Sequence, residues 1–219
     1  GLRLRLDVGT INIAEVITKK GAYSVVAAQG LTGSKEIGEP FLPTAGNVIA
    51  IPLGCKLSAE VIHSDVEEIK LSDLGFDMPV MPAQPSVSKS EDPESLPFMQ
   101  DEGTYQMSGF YQPEMVVTRE EGIMRGVRMG HVEINPFEYS PSENILRVHK
   151  NIEVRINFDN ADWGATDMLF DRYYSPVFEP VWNKAINYED MFAGSWRKDI
   201  RCCFHCKLQG IQQTSCVTA

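Results

Sequence analysis

Cysteine is missing where a disulfide framework would need it. Of five cysteines, Cys55 stands alone, and Cys202, Cys203, Cys206 and Cys216 crowd into the last eighteen residues. The first two hundred residues therefore close no internal disulfide, and cysteine usage carries no mark of compartment. Basic charge is also short. Twenty Lys and Arg against thirty Asp and Glu leave a net charge of -10, which repels phosphates and excludes nucleic acid as a partner. No apolar run approaches the roughly 18 residues of a membrane span. An initiator Met and a signal peptide are both lacking before Gly1, so the native start is expected to lie upstream.

The motifs of catalysis are absent as well. There is no Gly-x-Ser-x-Gly elbow, phosphate-cradling loop, dinucleotide fingerprint or Asp-rich calcium spacing. Four histidines occur, His63, His131, His149 and His205. The first three fall inside strand-like segments, where each reads as a surface or satisfied side chain, and none pairs with a nucleophile. Cys55, after Gly54, reads as a small core residue. Adjacent acids such as Glu67-Glu68, Glu91-Asp92 and Glu120-Glu121 face opposite ways on a strand or are solvated in a turn. No catalytic residue, cofactor or cofactor-binding residue is therefore assigned. The one metal candidate is weak: Cys202, Cys203, His205 and Cys206 have ligand chemistry suited to zinc but lack a frame of two separated Cys pairs.

What is present is alternation. Leu2, Leu4, Leu6 and Val8 interleave with Arg3, Arg5 and Asp7, giving one apolar and one wet face. Ile11–Thr18 and Ala22–Ala28 flank Lys19-Lys20-Gly21, a hairpin with its charges at the turn. Further strand signals cover Asn47–Ile51, Lys56–Ser64, Glu67–Leu71, Glu114–Thr118, Ile123–Phe137 and Ile145–Phe158, the last as two consecutive segments meeting at Asn151. Pro180 to Tyr188 predicts a short helix with Pro180 in its first turn and Val181, Trp182, Ala185 and Tyr188 on one face. The fold class expected is all-β: a two-sheet antiparallel β-sandwich of about nine or ten short strands with one short C-terminal helix.

Residues 72–103 break the rhythm. Pro79, Pro82, Pro85, Pro93 and Pro97 mix with Ser, Asp and Glu, so no regular element is expected to persist. A loop this long inside a compact domain is functional or disordered. Lys89 is its conspicuous residue, the only basic one between Lys70 and Arg119. The domain expected is 1–192, with 193–219 an atypical Cys-rich tail outside the fold. From Arg201 the alternation is gone, and residues 201–219 are expected to come from a truncated or frame-shifted reading or an artificial junction.

Several motifs occur in a specific order: Gly38-Glu39-Pro40-Phe41-Leu42-Pro43, Ile51-Pro52-Leu53-Gly54, Met81-Pro82-Ala83-Gln84-Pro85 and Phe110-Tyr111-Gln112-Pro113. They are followed by Arg125-Gly126-Val127-Arg128, Asn135-Pro136-Phe137-Glu138-Tyr139-Ser140-Pro141 and Leu146-Arg147-Val148-His149-Lys150. In order and spacing this series resembles the propeptide (prodomain) of gingipain-type, caspase-like cysteine peptidases. The resemblance implies a noncatalytic β-sandwich that inhibits and assists folding of a secreted cysteine peptidase. The partner is then the peptidase catalytic domain, and the route is through the periplasm to secretion or the cell surface, with removal by proteolytic maturation. It also implies an inhibitory loop, here Ser88, Lys89, Ser90, Glu91 and Asp92, with Lys89 plugging the acidic S1 pocket. The rival reading is a β-sandwich binding or adhesion module of a secreted multidomain protein, using Tyr105, Phe110 and Tyr111 as an exposed platform. An autonomous enzyme ranks third.

Overall fold

The computed structural model describes residues 1–33, 36–89 and 96–192, with the backbone of 205–208 and 211–214. Its strands are β1 (Leu2–Leu6), β2 (Ile11–Thr18), β3 (Gly21–Ala28), β4 (Thr32–Gly33), β5 (Pro43–Ile51), β6 (Lys56–Lys70), β7 (Val116–Met124), β8 (Val127–Ile134), β9 (Phe137–Ser140), β10 (Ile145–Asp159), β11 (His205–Leu208) and β12 (Ile211–Thr214). The helices are α1 (Glu102–Gln106), α2 (Trp163–Tyr173), α3 (Glu179–Trp182) and α4 (Tyr188–Phe192).

β10 organises the first sheet. One of its edges pairs with β6 along nearly its whole length; the other takes β9 over its first residues and β1 over its last, all antiparallel. β12 continues this sheet beyond β1, and β11 beyond β12. The expected break between two segments is a bulge inside one strand. Register shifts fall between Lys150 and Val154, and Asn151 takes a left-handed φ of 49°, a conformation asparagine tolerates better than most residues. The second sheet runs β4-β5-β8-β7, and β2 with β3 forms a separate hairpin.

The alternation read from the sequence is the burial pattern observed. Leu2, Leu4 and Leu6 are buried, as are Ile152, Val154 and Ile156 opposite them. They meet Val26 of β3, Ile49 and Ile51 of β5, and Val132 and Ile134 of β8 in one core drawn from both sheets and the hairpin. The expected all-β antiparallel class holds.

The C-terminal region carries more helix than the single Pro180–Tyr188 segment expected. α2 escapes a reading by periodicity because only Thr166 and Phe170 are buried on it, too narrow a stripe to show. Pro180 does sit in the first turn of α3, but that helix stops at Trp182. The chain then leaves helical geometry to finish the edge of β5: Ile186 N–H donates to the Val48 carbonyl at 3.0 Å. Asn187 accepts from Ala50 N–H at 2.7 Å and donates to Ala50 C=O at 2.9 Å. Trp182, Ala185 and Tyr188 then pack with Phe170, Phe192, Val127 and Ala50 in a second, aromatic core on the outer side of β5 and β8.

Candidate functional site

The proline-rich segment, expected to hold no persistent strand or helix, is hydrogen-bonded to the body through both limbs. Its first part is a strip inlaid into the body. Ser24 of β3 donates its N–H to Pro79 O and accepts from Met81 N–H, both at 2.8 Å, and its hydroxyl reaches Met78 O at 3.0 Å. On the strip's other side, Phe41 N–H donates to Met81 O and Ala83 N–H to Glu39 O, each at 2.8 Å. Prolines at 79, 82 and 85 suit such a strip: each fixes φ, and none is required as a donor at its own position. Val80 and Ala83 are buried.

Tyrosines complete the anchoring. Val80 N–H donates to the Tyr139 hydroxyl at 3.2 Å, and Val80 C=O accepts from the Tyr105 hydroxyl at 2.6 Å. Tyr139 passes its own proton toward Asn144 Oδ1 at 2.8 Å. Burial holds the Tyr105 and Tyr139 hydroxyls well above the ordinary tyrosine value, because the phenolate would be poorly solvated there.

The return limb is tied to the same base. Gln84 spans the two limbs, donating to Met99 O at 2.7 Å and accepting from Met99 N–H at 3.0 Å. Tyr23 donates to Gln100 Oε1 at 2.8 Å and lies against Phe98, with ring centroids 5.4 Å apart. Asp101 caps α1 by accepting from Thr104 N–H at 2.9 Å, and Thr104's two hydrogen bonds hold its carboxyl below the usual carboxylate range. The described limbs, 85–89 and 96–98, are thus held to the body by one clamp. Ser88 and Lys89 are exposed on this excursion, Lys89 in a turn. A groove of about 400 Å³ runs between the excursion and the β2–β3 hairpin, lined by Ile17, Lys19, Pro85, Val87, Pro97 and Phe98 among others.

Ser90, Glu91 and Asp92 of the expected loop site lie outside the described residues, as do Cys202 and Cys203 of the zinc candidate. His205 and Cys206 belong to β11, described as backbone. Among the described residues no group of His, Cys, Asp and Glu is arranged to hold a metal ion. His149 is buried and satisfied, 3.0 Å from Glu138 Oε1 and 3.3 Å from the Ser64 hydroxyl. Cys55 is buried against Arg128, and desolvation pushes its thiol upward. The rival aromatic platform is taken up by internal contacts. Tyr105 binds Val80, Tyr111 donates to Glu39, and the Phe110 ring lies 3.6 Å beneath the Arg147 guanidinium. Sequence reasoning missed Ser24 as a loop anchor, quoted Gly38 and Gln84 only as parts of motifs, and read Tyr105 as part of an exposed platform.

The class the fold defines is an antiparallel β-sandwich that roots its proline-rich segment by both limbs. The chain belongs to the Propeptide_C25 family, which it matches over residues 2–192. It is 35% identical to Lys-gingipain of Porphyromonas gingivalis over 177 residues, 81% of this chain and 10% of that protein. It is 25% identical to Gingipain R2 over 190 residues, 86% of this chain and 24% of that protein. The chain thus spans about a tenth of the length of the Lys-gingipain it matches, and the match is to the propeptide, not the catalytic domain. Among solved structures, one that gives insight into the zymogenic latency of P. gingivalis gingipain K superposes with a TM-score of 0.67 at 33% identity. It covers 73% of this chain and 87% of that one. The complex of P. gingivalis RgpB pro- and mature domains shares the fold, with a TM-score of 0.67 at 22% identity over 85% of this chain and 92% of that one. Among the described residues no helix is long and apolar enough to cross a membrane.

Proposed function

We propose that residues 1–192 form a noncatalytic propeptide that inhibits a gingipain-type cysteine peptidase, assists its folding and is removed by proteolysis. The peptidase is exported through the periplasm and secreted or held at the cell surface. The observation that carries the reading is the pair of clamped limbs, 85–89 and 96–98, with an exposed Lys89 on a base rooted at Ser24, Gln84 and Val80. Rigid roots lower the ordering cost of entering a cleft. A lone ammonium desolvated in an acidic pocket is an effective anchor, so Lys89 is assigned the S1 pocket, with Ser88, Ser90, Glu91 and Asp92 flanking it.

The test is titration of the chain against its cognate catalytic domain. Stoichiometric inhibition that weakens at least tenfold in Lys89→Ala supports both the role and the anchor. Inhibition unchanged in Lys89→Ala removes the anchor alone. Absence of any complex returns the domain to a binding or adhesion module.

A further inference from the structure

We propose that the tip of the β2–β3 hairpin and the groove beside it form a second anchor on the same peptidase, seating an apolar side chain from the rim of its cleft. This rests on the propeptide reading and deepens it. Ile17 is 82% exposed, the most exposed large hydrophobic side chain among the described residues, and it lines the groove together with Lys19, Pro85, Val87, Pro97 and Phe98. Water meets apolar surface here, where the hairpin faces residues of both limbs of the loop. Scattered exposed apolar residues need no explanation, but a contiguous apolar concavity marks an interaction site.

Distance identifies the occupant. Val87 precedes Lys89 by two residues, at most about 7 Å of extended chain. Any surface that closes around the Lys89 ammonium is therefore brought onto Val87 and, across the groove, onto Ile17 and Lys19. Area gives the same answer. A stable complex buries about 800 Å² on each partner, roughly 20–30 residues a side, more than the excursion 85–98 supplies. The hairpin tip is the adjoining surface, and its hairpin is braced to the loop: Tyr23 bonds Gln100 and lies against Phe98, while Ser24 bonds residues 78–81. Lys19 and Lys20 at that tip add positive charge beside Lys89 on a chain of net charge -10. A face carrying Lys19, Lys20 and Lys89 complements an acidic partner surface.

The experiment measures the dissociation constant of the full chain for its cognate catalytic domain, the catalytic cysteine replaced by alanine so that the loop stays intact. Ile17→Glu, Val87→Asp and Lys89→Ala are compared singly. Ile17 and Val87 are exposed, so their substitution leaves the core untouched. The expected result is at least tenfold weaker binding for Ile17→Glu and for Val87→Asp. Parent-like binding by Ile17→Glu while Lys89→Ala is weakened overturns the second anchor and leaves the plug. The reverse pattern supports the second anchor and sinks the plug. No binding by the parent chain overturns both.

Discussion

At Gly38 the backbone N–H donates to Ala83 O at 2.8 Å, and the carbonyl accepts from Asp101 N–H at 2.9 Å. One residue therefore holds the outgoing and the returning limb of the loop. Its φ is +88°, and a Cβ built there comes within 3.1 Å of Asp101 N, a backbone atom that has no rotamer in which to retreat. The left-handed conformation alone costs an L residue about 1–2 kcal/mol, and the contact adds to that. Gly38→Ala is accordingly expected to lower stability by about 1–2 kcal/mol in urea unfolding and to speed proteolysis within residues 85–98. An unchanged cleavage rate in a destabilised variant would separate the fold from the clamp and refute the double-anchor role. Arg128 shows the same economy of partners at a corner: its guanidinium binds both Glu120 oxygens at 2.7 and 2.6 Å and the carbonyls of Pro52 and Cys55 at 2.9 and 3.1 Å. Those bonds hold the Glu120 carboxyl below its ordinary value.

At the scale of elements, the exposed edge of β5 is closed by a side chain instead of a strand. Asn187 is buried and satisfies both backbone groups of Ala50, itself fully buried. Replacing the amide by a methyl group strands one buried donor and one buried acceptor, each costing about 1–3 kcal/mol when unmet. Asn187→Ala is expected to cost about 2–4 kcal/mol. Amide exchange should accelerate first at Ala50, because its N–H loses the Asn187 acceptor and meets solvent as α4 lifts. Exchange that instead rises uniformly across β10 would show that the two cores unfold as one, contrary to their separation into a sandwich core and an aromatic core.

Over the whole molecule, what was legible in the sequence is what repeats within a few residues. The alternation of Leu2, Leu4 and Leu6, the Lys19-Lys20-Gly21 hairpin turn and the isolation of Lys89 are all local signals. The loop's roots were not legible, because Tyr105 meets Val80 across 25 residues, Tyr139 meets it across 59, and Tyr23 meets Gln100 across 77. No periodicity encodes such pairs. They also give the molecule a pH limit. Burial raises the hydroxyls of Tyr23, Tyr105 and Tyr139, and burial with the Glu39 carboxylate raises Tyr111, all above the ordinary value of 10.0. A group whose folded-state value is raised contributes stability that is complete below its unfolded value and is lost as pH climbs past it. Stability is therefore expected to hold up to about pH 10 and then fall, as the unfolded chain releases protons the folded chain retains. Urea midpoints measured from pH 8 to 11 should show that decline, and Tyr105→Phe should make it shallower. Because the hydroxyls of Tyr23, Tyr105 and Tyr139 bond the strip and limbs that root the loop, proteolysis at residues 85–98 should rise in the same pH window. A flat midpoint through pH 11 would mean that these hydroxyls ionise in place, and that burial at the loop's base is looser than their hydrogen bonds indicate.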